Sequence, residues 1–308
     1  MSLKTRKTTI FAALEAVYGT AEALDGNDAI RTHAATISPL EGSTVKRDLD
    51  GQGFGNDGEI HVGVHVKVEF DVEMAGSGAA GTAPAYGRLF KACQMAETID
   101  TGVSVTYAPA SNGTDSLTMY FQLDGQRHAL RGARGTWSIK GDSQGIPYFH
   151  FVFTGLWVNP ATATDLVPDF TGFLAPKPIT YEHTPTVTLH ALASVFIGFT
   201  YDHANQVEHF DNPGEEAVEI TDRMPAGTIN LLAPVLSTKN YFTAAKADTV
   251  GNLLFTHGVV AGNIIKLAAP RVQLLQPKYG DDRGRAMVTA NTSFVRDVND
   301  DEMELEFT

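Results

Sequence analysis

Residues 60–74 constrain the fold more than any other stretch. They read Ile-His-Val-Gly-Val-His-Val-Lys-Val-Glu-Phe-Asp-Val-Glu-Met, apolar at every even position and His, Gly, Lys, Glu or Asp at every odd one. Unbroken period 2 is the pattern of a strand with one face in a core and one face in water. Ordinary strands run about 5–6 residues. This one spans roughly 50 Å at about 3.3 Å per residue. Such a ribbon outruns the core of a single domain, which points to assembly rather than catalysis.

The rest of the chain is compatible with a well-packed β protein. Of its 308 residues 43% are hydrophobic and 19% charged, a globular balance and not a disordered one. No apolar run approaches the roughly 20 residues of a membrane span. The basic start, residues 1–7, is followed by an amphipathic mixture with Glu15 and Glu22 and no signal-peptide core, so a cytosolic product is expected. The single cysteine, Cys93, excludes an internal disulfide and a cysteine-based zinc site. A net charge of −13, acidic in both halves, argues against a module that grips nucleic acid through phosphates. An acidic surface instead lets DNA pass without sticking.

Ile10, Phe11, Leu14 and Val17 fall at helical spacing before Gly19, predicting a short helix or an arm. Pro39 and Gly42 predict a turn. Four glycines in residues 50–58 predict a flexible loop, so residues 44–74 read as a hairpin with a large tip. Tyr86, Leu89, Phe90 and Cys93 sit at i, i+3, i+4 and i+7, the apolar face of a helix running to about Met95 and packing on the sheet. Strands are expected at 104–108, 117–123, 126–130, 135–140 and 148–158, with a hairpin turn at Asp124-Gly125. A proline-rich, charge-poor linker follows at 166–185. Then the order recurs, with strands at 186–190, 195–207, 217–221 and 228–232, a short helical turn at 240–247, and strands at 253–256, 264–267, 272–275, 286–294 and 303–307. The chain is read as mainly β in two packed layers. The recurrence predicts two tandem β domains, 1–165 and 186–308. One larger β domain is the alternative.

No chemical constellation stands out. Gly76-Ser-Gly78-Ala-Ala-Gly81 fits a dinucleotide fingerprint after a strand and before a helix. But a dinucleotide-binding strand is buried on both faces, residues 60–74 are not, and no second parallel apolar strand follows. A flexible connector is the better reading. His61 and His65 share a strand face about 13 Å apart, too far to chelate one metal. Acidic pairs such as Glu215-Glu216 and Asp281-Asp282 fall in expected loops. The acidic run 297–306 ends in alternating Met303, Leu305 and Phe307, a terminal strand with a charged outer face. Cys93 reads as buried packing. No enzyme, cofactor or metal is expected.

Leu14-Glu-Ala-Val-Tyr18-Gly19-Thr20, Asn27-Asp-Ala29-Ile30 and Pro39-Leu40-Glu-Gly42 resemble the opening of the major tail tube proteins of long, non-contractile-tailed bacteriophages. Pro84-Ala-Tyr-Gly-Arg-Leu89-Phe90-Lys-Ala92-Cys93 resembles that family's helix. Thr238-Lys-Asn240-Tyr241, Thr256-His257-Gly258 and Ala269-Pro270-Arg271-Val272 are similar to its later segments. The resemblance implies β-sandwich or barrel domains with a helix flanking the first and a short helical turn in the second. It implies homo-oligomeric rings whose inner sheets line a channel for DNA, which passes without specific binding. Two tandem domains imply three chains per ring with six-fold appearance; a single domain would imply six. Tape measure, tail terminator and tail tip proteins are the implied partners, and the virion tail the implied location, after synthesis in the bacterial host cytoplasm. No membrane role is implied. A tail terminator, a β-sandwich binding module or a secretion-tube analogue is the alternative. On this reading Lys67, Glu69, Asp71 and Glu73 face the channel or its rim. Gly51, Gly53, Phe54, Gly55, Asn56 and Asp57, with residues 1–24, reach an adjacent ring.

Overall fold

The computed structural model describes residues 2–51 and 53–308. The first half comprises β1 (Thr8–Leu14), β2 (Ala29–Ile30), β3 (His33–Lys46), β4 (Glu59–Glu73), the helix α1 (Gly87–Lys91), β5 (Met95–Asp100), β6 (Ser104–Pro109), β7 (Leu117–Leu123), β8 (Gln126–Asp142), β9 (Tyr148–Trp157) and β10 (Ala161–Thr162). The second comprises β11 (Thr186–Leu189), β12 (Leu192–Ala193), β13 (Phe196–Asp202), β14 (Asn205–Asn212), β15 (Glu215–Arg223), β16 (Ala226–Leu232), the helix α2 (Tyr241–Lys246), β17 (Val250–His257), β18 (Ile265–Asp282), β19 (Arg285–Phe294) and β20 (Glu304–Phe307). The fold is mainly β, with layers packed as a sandwich.

Every strand pair is antiparallel, and each half builds the same series. In the first half the order is β2-β1-β7-β8-β9-β4-β3. In the second it is β12-β11-β17-β18-β19-β16-β13. The helices also correspond, α1 following β4 and α2 following β16. The halves are joined directly: β13 pairs with the end of β8, and β20 pairs with both β6 and β18.

Alternation explains the core. From Val66 to Met74 the even residues of β4 are buried, and β9 adds Phe149, Phe151 and Phe153 to the same face. Phe90 of α1 lies at the centre, with its ring 5.1 Å from Trp137, 5.2 Å from Phe149 and 5.0 Å from Tyr107. Burying each such ring stabilises the fold by about 1.5–3 kcal/mol. The core continues into the second half, where Tyr201 packs 5.1 Å from Trp137 and 4.8 Å from Phe294. As expected from its length, the N-terminal end of β4 leaves the core, and Ile60 is 54% exposed.

Several local expectations are corrected. Residues 8–14 form a strand, not a helix. β1 lies between β2 and β7 and is buried on both faces, Ile10 and Ala12 in the main core and Phe11 in a second cluster with Leu24 and Ala29. Two-sided burial removes the alternation that marks a strand. Pro39 and Gly42 lie inside β3, at register shifts between Ser38, Glu41 and Ser43, so they bend the strand instead of ending it. Helix α1 ends at Lys91. Gln94 is left-handed (φ 57°), and Met95 already opens β5. Residues 195–207 are not one strand, because Ala204 takes a positive φ and separates β13 from β14. Conversely 126–130 and 135–140 merge into β8 through a bulge, and 264–267 and 272–275 merge into β18. Asp281-Asp282, expected in a loop, therefore ends a strand, and Glu215-Glu216, also expected in a loop, opens β15.

Candidate functional site

The cross-strand register places the polar face of β4 within a much wider surface. Lys67 pairs with Thr154, Glu69 with Val152, Asp71 with His150 and Glu73 with Tyr148 of β9. Thr136, Ser138 and Lys140 of β8 continue that row, and β13 carries it on, Asp202 opposite Ser138 and Thr200 opposite Lys140. Thr200 then faces Thr228 of β16, which faces Asn291 of β19, which faces Leu275 of β18. Directly opposed residues share a face. One largely polar face thus runs over eight strands, β3-β4-β9-β8-β13-β16-β19-β18, across both halves.

On β4, Lys67, Glu69 and Asp71 have partners on this face. Lys67 lies 2.8 Å from Glu69, and that ammonium holds the Glu69 carboxyl below its ordinary range. Asp71 sits between two histidines, 2.7 Å from Nδ1 of His150 and 3.7 Å from Nδ1 of His33. They border a trough of about 470 Å³ with Lys140, Asp142 and Tyr148 on its walls. Glu73 is half-buried beside it. At the opposite end of β4 the β14–β15 hairpin folds over the face. The His209 ring lies tilted against His65 with centroids 4.9 Å apart, and Asp211 accepts from the Gly63 amide. Val218 is fully buried there, its carbonyl accepting from Arg134 and its amide donating to Tyr18 Oη.

The remaining candidates fall elsewhere. Gly51, Gly53, Phe54, Gly55, Asn56 and Asp57 form the exposed tip between β3 and β4; Gln52 lies outside the described residues. Phe54 has no cover, and Gly53 and Gly55 have open space where a side chain would be. Asp57 accepts from the Leu49 amide and Asn56 from the Gly58 amide, shaping the tip locally. Tyr86, Leu89, Phe90 and Cys93 are all buried in the main core, with Tyr86 Oη donating to the Ala75 carbonyl. Burial pushes the Cys93 thiol well up. The glycine fingerprint encloses protein, not a phosphate. The Gly78 amide donates to the Gly262 carbonyl, and side chains at Gly76 or Gly81 would run into neighbouring backbone. Among the described residues no group of three or more His, Cys, Asp and Glu could hold a metal. No helix among them is long and apolar enough to cross a membrane. The eight-strand face itself was not foreseen. Its only trace was the polar alternation in separate strands, whose adjacency depends on the β8–β13 pairing.

The site is thus one extended polar face on an open antiparallel sandwich, with a hairpin projecting beyond it. A family model described as phage tail tube protein matches residues 5–295, nearly the whole chain. The chain belongs to that family: it is a structural component of the phage tail, in which copies associate to build the tube. No curated protein matches it.

Proposed function

We propose that three copies form each ring, that rings stack into the tube, and that the eight-strand polar face lines a channel through which DNA enters the host. The continuity of that face over both halves carries this reading. Each half is then one tube domain, 1–165 and 186–308 about the linker 166–185, and three chains give six-fold appearance. At about 4.8 Å between strands, eight strands cover about 38 Å of arc. Three such arcs make a circle roughly 37 Å across before strand tilt widens it. Lys67, Glu69, Asp71 and Glu73 face this channel, and an acidic chain leaves passing phosphates unbound. The tip 51–57 contacts the next ring; residues 8–14 are held in the sheet between β2 and β7 and do not reach out as an arm. Tape measure, terminator and tip proteins complete the tail, and the protein itself, made in the host cytoplasm, has no catalytic role. Deleting residues 51–58 is expected to leave a folded protein by circular dichroism that no longer forms tubes by negative-stain electron microscopy. Normal tubes from that variant would remove the tip from the stacking contact.

A further inference from the structure

The ten histidines of the chain are unevenly placed. Burial holds His128, His190, His203 and His257 below the ordinary histidine range, so these stay uncharged in the folded chain. Of the others, His33, His65 and His150 stand on the polar face of the first half, His209 leans on His65, and His61 follows on the same strand. His183 lies apart, in the turn 180–184 of the linker. The second half shows Thr200, Thr228 and Asn291 on its share of the face, and its strands β13, β16, β18 and β19 hold no histidine.

Two of these histidines share one trough, at the end of β4 away from the tip. His150 Nδ1 lies 2.7 Å from Asp71 Oδ1. A carboxylate only accepts, so Nδ1 carries the proton of that contact and Nε2 is the atom left to gain one. His33 meets the same carboxylate from β3, its Nδ1 3.7 Å from Asp71 Oδ2 and its ring 5.6 Å from that of Tyr148. Lys140 and Asp142 of β8 complete the walls. Around the trough, Lys67 and Glu69 offset each other, Glu73 shares a small cavity with Arg31, and Asp202 of β13 faces Ser138 at the border. With both imidazoles neutral, Asp71 and Asp142 outnumber Lys140 in the trough; with both protonated, three cations face those two carboxylates. The side chains of His33 and His150 are 67% and 43% exposed, so protons and a solute both reach them.

We propose that this trough is a proton-operated phosphate site, which makes the grip of the channel on DNA depend on pH. This rests on the channel reading above and adds a regulation to it. Histidine is the side chain whose charge ordinarily changes between pH 5 and 8. At pH 7.5 the trough is acidic and turns phosphodiesters away. At pH 5.5 the imidazolium rings of His33 and His150, both oriented by Asp71, join Lys140 in facing a passing phosphate. The contact is with backbone phosphate and is indifferent to base sequence. Neither ring belongs to the hydrophobic core, so the fold does not depend on their charge.

The test uses tubes assembled at pH 7.5 from the unmodified chain, from a His33→Gln, His150→Gln double variant and from His183→Gln as control. A short fluorescent DNA duplex is added, and the amount that sediments with the tubes is read at pH 7.5 and 5.5 in low salt. Unmodified and control tubes are expected to retain about tenfold more duplex at pH 5.5, roughly the effect of two unit charges beside a phosphate in water. High salt removes the gain. The double variant is expected to retain the same small amount at both pH values. An equal pH dependence in the double variant, or none in unmodified tubes, overturns the site and leaves the tube reading intact. Failure of the unmodified chain to form tubes or rings at pH 7.5 removes the tube reading itself. If tubes come apart at pH 5.5, fluorescence anisotropy of the duplex with the soluble chains decides. Tighter binding at pH 5.5 that the double variant lacks supports the site, and binding that the double variant keeps overturns it.

Discussion

His203 shows how one residue ties the halves together. It is fully buried, its ring stacked 5.3 Å from Trp137, with Tyr201 Oη 2.8 Å from Nδ1. Burial, with the nearby Arg223 guanidinium, drives its pKa well below the ordinary value of 6.5. The folded state therefore holds the neutral ring, while the unfolded chain binds a proton below about pH 6.5. Stability is retained above that pH and falls as pH drops through it, by about 1.4 kcal/mol per unit for one such histidine. His190 and His257, also lowered by burial, act in the same direction. The melting temperature is expected to decrease from pH 7.5 to 5.5, with a shallower slope for His203→Phe. An unchanged slope in that variant would assign the pH dependence elsewhere. Nothing in the sequence around His203 distinguishes it from the solvated His61. The difference arises because Trp137, distant in the chain, closes over it.

At the scale of elements, β20 is short but bridges the halves. Leu305 faces Leu267 of β18 on one side and Tyr107 of β6 on the other, and Phe307 lies 5.8 Å from the Tyr107 ring. Met303, Leu305 and Phe307 are buried, as the alternation through the acidic terminal run indicated. Leu305→Ala is expected to cost about 2–5 kcal/mol in urea denaturation, by lost transfer energy and a residual cavity. Val298→Ala, on a side chain 72% exposed, is the near-neutral control. Equal effects of the two would mean that β20 is not a stabilising bridge. Strands covered on one face, such as β4, β9 and β20, were legible because burial and sequence share the period of 2. β1 was misread as a helix because both its faces are buried, and α1 was overextended because the apolar spacing continues past the left-handed Gln94.

For the whole molecule, the continuous core argues that neither half is complete alone. Cutting after residue 165 removes β13 from β8 and β20 from β6, and exposes Trp137. The fragment 1–165 is expected to aggregate or to lack dispersed amide resonances, and co-expression with 166–308 to restore a soluble complex. A soluble monomeric 1–165 that unfolds cooperatively would show that the halves are energetically separate. This coupling is compatible with duplicated domains, since related domains can share a core.

Local pattern alone determined the strand-rich class, the long strand at residues 60–74 with its even face buried from Val66 onward, the exposed glycine-rich tip and the apolar face of the first helix. Each depends on neighbours in sequence, through side-chain alternation or turn chemistry. Tertiary structure decided that the polar side of that strand belongs to a face eight strands wide, that β8 and β13 join the halves, and that two edges remain bare. Those features depend on pairings such as Ser138 with Asp202 and His65 with Leu156, 64 and 91 positions apart. Backbone hydrogen bonding, which is nearly indifferent to side-chain identity, leaves no signature of such pairings in a single sequence.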